Sequence, residues 1–281
     1  MPLAYDLHMH STASDGTLAP AALVARVAAA GVRALSLTDH DTTEGCAEAA
    51  AEAARLGVEF LPGVEISVTW KAMTIHIVGL GIDPANPSLQ AGLGGLRDFR
   101  DWRAAEIGRR LARDGGIAGA YERARELSNG RLIGRTHFAR ALVERGHAPS
   151  VRDVFKRFLV RGRPGHVPGQ WAALGDAVEW ITGAGGIAVI AHPARYPLNR
   201  TQFLRLAGEF KAAGGSAMEV VSGSHSPDDN RTMAARAQAL ALLASAGSDY
   251  HGPEQPYLEL GRLPTLPAGC EPLWQDGALA A

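Results

Sequence analysis

The sequence predicts an α/β fold, a (β/α) barrel interrupted by a helical insert, on three observations. Seven short runs rich in Val, Ile and Leu are spaced along the chain, often bounded by Gly or Pro. Long stretches rich in Ala, Leu, Glu and Arg separate most of them, and strands alternating with helices build parallel sheets or barrels. His, Asp and Glu recur at the ends of the runs, and β/α barrels carry their chemistry at the carboxyl ends of their strands.

Strands are expected at 4–8, 34–38, 58–62, 74–80, 187–191, 217–221 and 244–248. Helices are expected at 20–30, 43–56, 171–182, 200–213 and 228–243. Gly183-Ala184-Gly185-Gly186 looks like a phosphate loop but precedes a strand, so it reads as a helix C-cap and turn. Between the fourth and fifth strands only helical periodicity is present, at 99–113, 118–127, 136–145 and 151–159. The chain therefore divides into a first barrel part at 1–95, a helical insert at 96–168 and a second barrel part at 169–281. Without the insert roughly 210 residues are left, near the lower size of a (β/α) barrel.

Of the 281 residues 46% are apolar and 20% charged, enough for a sizeable core and unlike a disordered chain. The net charge of −1 hides an asymmetry. Residues 97–163 hold 17 Lys and Arg against 8 Asp and Glu, while the remainder holds 11 against 21. An acidic body with a basic insert favours anionic ligands over neutral ones. Cys46 and Cys270 are too few for a disulfide framework and form no C-x-x-C pair, which fits a reducing cytoplasm. No apolar run is long enough to span a bilayer, and the first strand leaves no room for a signal peptide. The expectation is a cytoplasmic protein with no membrane contact and no obligate protein partner.

Six of the ten histidines fall in one pattern with acids: Asp6-Leu7-His8-Met9-His10, Asp15, Asp39-His40-Asp41, Glu65, His76, Ala191-His192-Pro193 and Asp249-Tyr250-His251. His8 and His10 are two apart on a strand, so both imidazoles leave one face. Imidazole with carboxylate is the ligand set of zinc, manganese and iron. A single His beside a strand is more often a hydrogen-bonded rim residue. Its repetition at the strand ends points to a metal centre with more than one ion.

The motifs His8-x-His10, Thr38-Asp39-His40-Asp41, Gly63-Val64-Glu65, Ala191-His192-Pro193 and Gly247-Ser248-Asp249-Tyr250-His251 resemble those of the PHP (polymerase and histidinol phosphatase) superfamily. The resemblance runs from the first strand to about Gly261. It implies a distorted seven-stranded (β/α) barrel with three divalent metal ions, most commonly Mn2+, with Fe2+ or Zn2+ also accommodated. On that resemblance His8, His10, Glu65 and Asp249 would hold one ion. Glu65, His76 and His192 would hold a second, and Asp15, His40 and His251 a third. Asp39 and Asp41 would orient these ligands, and Glu219 at the end of the sixth strand would be a base or, by preference, a structural acid behind them.

Gly134-Arg135-Thr136-His137-Phe138-Ala139-Arg140, Ala191-His192-Pro193-Ala194-Arg195-Tyr196 and Ser222-Gly223-Ser224-His225-Ser226 resemble the phosphoesterases of 3',5'-nucleoside bisphosphates. Related members trim short RNA from its 5' end. Two departures stand out: Thr136 where that subgroup commonly has Pro, and a bulkier, more basic Val160-Arg161-Gly162-Arg163. The resemblance implies removal of the 3'-phosphate from a nucleotide or short oligonucleotide. Arg135 and His225 are the catalytic candidates. Arg135, His137, Arg195, Arg200 and His225 are the substrate-binding candidates, and Trp171 is a candidate to stack a base. The proton for the leaving group comes from His225 or is made unnecessary by a metal ion. Three other readings stay open: a histidinol-phosphatase-like monoesterase, a non-catalytic metal- or nucleic-acid-binding PHP module, and a metal-dependent amidase.

Overall fold

The computed structural model describes residues 4–254 and 260–274. The C-terminal ends of the expected second barrel part, residues 255–259 and 275–281, lie outside the described residues. Seven strands form one sheet in sequence order: β1 (Tyr5–Asp6), β2 (Ala34–Leu37), β3 (Glu59–Trp70), β4 (Met73–Leu80), β5 (Ile187–Ile190), β6 (Ala217–Ser222) and β7 (Leu243–Gly247). β1, β2 and β3 pair in parallel, as do β5, β6 and β7. The sheet curls until its ends meet. The Leu7 amide donates to Ala246 O at 3.0 Å, and the Asp249 amide to His8 O at 2.8 Å.

One strand departs from the expected parallel order. β4 runs antiparallel to both β3 and β5. β3 continues to Trp70, well past the expected end at residue 62, and turns straight back through Lys71 and Ala72, both left-handed with φ of 47° and 61°. A two-residue connection can only make an antiparallel hairpin, whereas a parallel crossover needs a dozen residues or more.

Five helices cover the barrel: α1 (Pro20–Ala29), α2 (Cys46–Leu56), α7 (Leu174–Gly183), α8 (Arg200–Ala212) and α9 (Pro227–Leu240). Each turns apolar residues inward, such as Leu23, Val24 and Val27 of α1 and Phe203, Leu206 and Phe210 of α8. Between β4 and β5 come α3 (Pro87–Gly115), α4 (Ala120–Leu127), α5 (Arg135–Glu144) and α6 (Val151–Val154), which runs into a π-helical turn at Phe155–Leu159. Their buried apolar residues from Ala104 to Val167 form a cluster of their own, separate from the barrel core.

α3 begins well before the expected insert boundary at residue 96. Gly92, Gly94 and Gly95 weaken its helical signal. Gly92 is needed, because a Cβ there would sit 2.5 Å from the Trp180 ring. The first half of α3 thus packs on the barrel through Leu89, Leu93 and Leu96, and the second half carries the insert. No helix among the described residues is long and apolar enough to cross a membrane.

Gly247 closes the barrel under the first ligand. A Cβ there would lie 2.2 Å from the Cβ of His8 and 2.9 Å from its amide nitrogen. Gly247→Ala is expected to cost about 1–3 kcal/mol, the scale of overpacking a tight core. Chemical denaturation of the two proteins measures it, and equal midpoints would contradict the reading.

Candidate metal centre

Nine side chains converge at one rim of the barrel. His8 and His10 follow β1 and are fully buried. Asp15 lies in the loop beyond them, and His40 follows β2. Glu65 is inside β3 and His76 near the start of β4. Because β4 runs backwards, its start lies beside the end of β5, and the Ala191 amide bonds His76 O at 3.1 Å. That reversal brings His76 to the same rim as His192, which follows β5. Asp249 and His251 follow β7. The backbone is left-handed at His192 (φ 30°) and Asp249 (φ 56°), a strained conformation that concentrates at functional sites.

Glu65 is the hub. Its Oε1 lies 2.8 Å from His76 Nδ1, 3.0 Å from His192 Nε2 and 3.4 Å from His8 Nε2. Its Oε2 lies 2.8 Å from His40 Nδ1 and 3.3 Å from His10 Nε2. Asp249 Oδ1 is 3.3 Å from His10 Nε2 and 3.6 Å from His8 Nε2. Asp15 Oδ1 is 3.3 Å from His251 Nε2 and 3.9 Å from His40 Nε2.

These residues fit cations. Glu65 Oε2, Asp15 Oδ1, His40 Nδ1 and His76 Nδ1 are buried with no hydrogen-bond partner, although other ligand atoms lie close by. Lone pairs that crowd together without bonding one another are aimed at something between them. With metal–ligand bonds of about 2.1 Å, neighbouring ligands sit roughly 3.0–3.4 Å apart, and most of the spacings above fall there. Three groups have ligand atoms within 4.8 Å of one another: His8, His10 and Asp249; His40, Glu65 and His76; and His10, Asp15, His40 and His251. The grouping differs from the expected one: His10 also faces the third group, and His40 also faces Glu65 and His76. Glu65 is absent from the group of His8, His10 and Asp249, and His192 falls in none of the three although its Nε2 lies 3.0 Å from Glu65.

The electrostatics suit the same role. Burial pushes Asp15, Glu65 and Asp249 up, but the imidazoles around each outweigh it and hold all three well below the usual carboxylate range. Burial drives His10 down to about 3, helped by His251 and His40, and His76 down to about 4. Both rings are therefore neutral. At His8, His40 and His251 burial is outweighed by the carboxylates beside them, which raise all three, His251 to about 9, so these would release a proton on taking a cation.

Other residues aim the ligands. Glu219, at a bulge in β6, takes His8 Nδ1 at 2.6 Å on one oxygen and the His192 amide at 2.5 Å on the other. This turns His8 Nε2 toward the cluster. Glu219→Gln is expected to weaken metal retention by about ten- to a hundredfold, the usual effect of such an outer partner. Metal titration measures it, and unchanged affinity would contradict the assignment. Asp39 accepts from the Ser11 amide and the Ser11 and Ser14 hydroxyls, fixing the turn between His10 and Asp15. Asp41 accepts from the Ser67 amide and from Arg100 at 2.6 Å.

A cavity of about 150 Å³ opens over the cluster, and its far wall is cationic and aromatic: Arg100, Arg103, Arg135, Phe155, Trp171 and Arg195. Arg100 is paired with Asp41, and Arg195 with Asp249 Oδ2 at 2.8 Å. Arg103 is buried and donates to the Val167 carbonyl, while its guanidinium lies over Trp171. Burial, with Arg135 and Arg100 nearby, pulls Arg103 down to about 9. Arg135 lies 5.5 Å over the Phe155 ring. Neither Arg103 nor Arg135 is within ion-pair distance of a carboxylate among the described residues.

Three expected residues are placed elsewhere. His225 accepts the Ala194 amide on Nε2 and directs Nδ1 at the Val220 carbonyl, both at 3.3 Å, which ties both ring nitrogens to backbone groups. His137 is buried and accepts the Gly134 amide on Nδ1, closing the start of α5. Arg200, the first residue of α8, lines a separate groove with Leu204, Arg231 and Arg236. None of the three lines the metal cavity.

Arg100 and Arg103 were not among the expected site residues, although a signal was present. Leu96, Arg100, Arg103, Ile107 and Leu111 make one i, i+4, i+7, i+11, i+15 stripe, so the two arginines occupy the inward face of α3.

A barrel with an imidazole–carboxylate cluster at one rim and a cationic pocket above it defines the class of metal-dependent hydrolases built on β/α scaffolds. The chain belongs to the PHP domain family, whose model matches residues 6–154. It is 52% identical over 272 residues to a 3',5'-nucleoside bisphosphate phosphatase of Chromobacterium violaceum, covering 96% of this chain and 95% of the relative. It is 46% identical to the 5'-3' exoribonuclease Rnm of Escherichia coli, covering 96% and 92%. Among solved structures, an amidohydrolase from Chromobacterium violaceum with bound sulfate and no metal superposes with a TM-score of 0.94 at 50% identity, covering 98% and 96%. A protein described as a metal-dependent phosphoesterase from Bifidobacterium adolescentis gives 0.83 at 28% identity, covering 94% of each chain.

Proposed function

We propose that this chain is a metal-dependent phosphoesterase that removes the 3'-phosphate of nucleoside 3',5'-bisphosphates, with short RNA as a further substrate. The observation that carries this reading is the pair Arg103 and Arg135, one buried and one half-buried, which line the cavity with no carboxylate within ion-pair distance among the described residues. A buried cation without a counter-ion is costly, and a phosphate dianion supplies what is missing. A neutral amide would leave both uncompensated, which disfavours the amidase reading.

His8, His10, Glu65 and Asp249 would hold one ion, Glu65, His76 and His192 a second, and Asp15, His40 and His251 a third, with Mn2+ as the expected metal. Bound there, divalent ions supply an activated water at neutral pH and stabilise charge on the phosphoryl oxygens. The chain's own residues do the rest. Arg135 presents a planar fork to the phosphate. Arg103 and Arg100 add charge from α3, and Asp41 fixes Arg100 in place. Trp171, held by Thr74 at 3.1 Å and with the Arg100 and Arg103 guanidinium groups over its ring, adds an aromatic edge to the wall beside which a base can pack. Glu219 keeps the His8 ring in register with the cluster.

The insert's own apolar cluster supports the domain division: the barrel carries the ligands, and the insert at 96–168 supplies Arg100, Arg103 and Arg135 of the cationic wall. Manganese-loaded protein given adenosine 3',5'-bisphosphate should release phosphate with a higher kcat/KM than on histidinol phosphate. A compact monoester carries a single phosphate and needs no cationic wall this extended, so the reverse preference would favour the monoesterase reading. No release from either would sink the proposal.

A further inference from the structure

We infer that the strip from Arg152 to Arg163, beside the mouth of the metal cavity, is a track for the backbone of a single-stranded oligoribonucleotide whose terminal nucleotide occupies that cavity. The inference rests on the phosphoesterase reading and deepens it by assigning the surface that would hold the rest of a short-RNA substrate.

The charge of the insert is not spread evenly. On α3 and α4 four arginines are neutralised at home, Arg109 and Arg110 by Glu106, Arg113 by Asp114, and Arg123 by Glu126 and Glu144, and exposed Arg125 stands without an ion pair among the described residues. The strip is different. Arg152, Lys156, Arg157, Arg161 and Arg163 are all exposed, and none has an ion pair among the described residues. The strip's one acid, Asp153, is engaged by the Ser150 hydroxyl. Five unneutralised cations in a dozen residues make a polyanion site, because each Lys or Arg that contacts a phosphate releases a counter-ion condensed on the nucleic acid.

The strip is also continuous with the cavity. Phe155, in its π-helical turn, lines the cavity and lies under Arg135. Beyond Arg163 the chain returns through His166, whose carbonyl is held by Arg110 at 2.6 Å and whose Nδ1 is buried without a partner. Val160, 40% exposed, and the ring of Phe158 under Arg157 add apolar surface among the charges. Cations interleaved with apolar and aromatic groups suit a single strand, which offers both phosphates and bases. π-Helical turns are rare and occur most often at functional sites.

The test compares wild type with a triple variant, Arg157→Ser, Arg161→Ser and Arg163→Ser. A control carries Arg55→Ser, Arg205→Ser and Arg231→Ser, three exposed arginines outside the insert. Two substrates are used, adenosine 3',5'-bisphosphate and a 5'-phosphorylated hexaribonucleotide. Binding of the fluorescently labelled hexamer is also followed by anisotropy in chelator, so that it is read without turnover.

The triple variant should bind the hexamer at least about tenfold more weakly, with a salt slope shallower by about two, as expected for roughly three lost phosphate contacts at a single strand. Its kcat/KM for the bisphosphate should stay within about twofold of wild type, because the strip lies outside the cavity. The control should match wild type in every arm. Unchanged hexamer binding in the triple variant would overturn the inference, as would an equal loss in the control, which would mean non-specific attraction. If wild type hydrolyses neither substrate, the phosphoesterase reading fails, and the anisotropy arm still decides whether the strip holds RNA.

Discussion

Glu65→Gln is expected to lower kcat/KM on the bisphosphate at least about a thousandfold, or about 4 kcal/mol of transition-state stabilisation. Glutamine keeps the shape of the side chain, so the fold should survive. What it loses is the charge at a fully buried point touched by five imidazoles. Its amide NH2 would also point a donor where the ligand atoms need an acceptor. Metal content should fall with activity. His8→Ala and Asp249→Ala belong to the same class, because each removes a donor from the His8, His10 and Asp249 group. Steady-state kinetics with metal analysis of each variant provides the check. A Glu65→Gln protein that kept both metal and turnover would contradict the hub role.

Arg135→Ala is expected to act differently. It should cost about 1.5–3 kcal/mol in kcat/KM, roughly ten- to a hundredfold, the scale of a charge-assisted hydrogen bond. Metal content should not change, since Arg135 touches no ligand and rests on Phe155. Arg135→Lys should recover only part of the loss, because an ammonium cannot reproduce the bidentate fork. A loss as deep as that of Glu65→Gln, with metal lost as well, would mean that Arg135 supports the centre rather than the phosphate.

Much of this arrangement was legible in the sequence for physical reasons. The strands are short apolar runs in which nearly every residue is buried, as β2 and β6 show, so composition alone marks them. His8 and His10 share a face by strand geometry, and acids beside histidines at strand ends announce a ligand set before any contact is known.

What escaped depends on direction and packing. Lys71-Ala72 carries no Gly or Asn to signal a hairpin, so the reversal of β4 was hidden, and with it the reason His76 reaches the rim. Arg100 and Arg103 look like solvated helix charges until α3 is seen to turn that stripe toward the cavity. His225 sits just before α9 in a motif that resembles a site loop, but the backbone groups of Ala194 and Val220 occupy both of its nitrogens. Arg200 follows His192 closely in sequence, yet the Pro193–Arg195 turn and the start of α8 carry it to another groove.

The most direct measurement is elemental analysis of the purified protein, with phosphate release from adenosine 3',5'-bisphosphate followed through chelation and manganese reloading. The account predicts about three divalent ions per chain at full activity, loss of turnover as they are stripped, and recovery on reloading. Full turnover by protein holding less than about one ion per chain would contradict it.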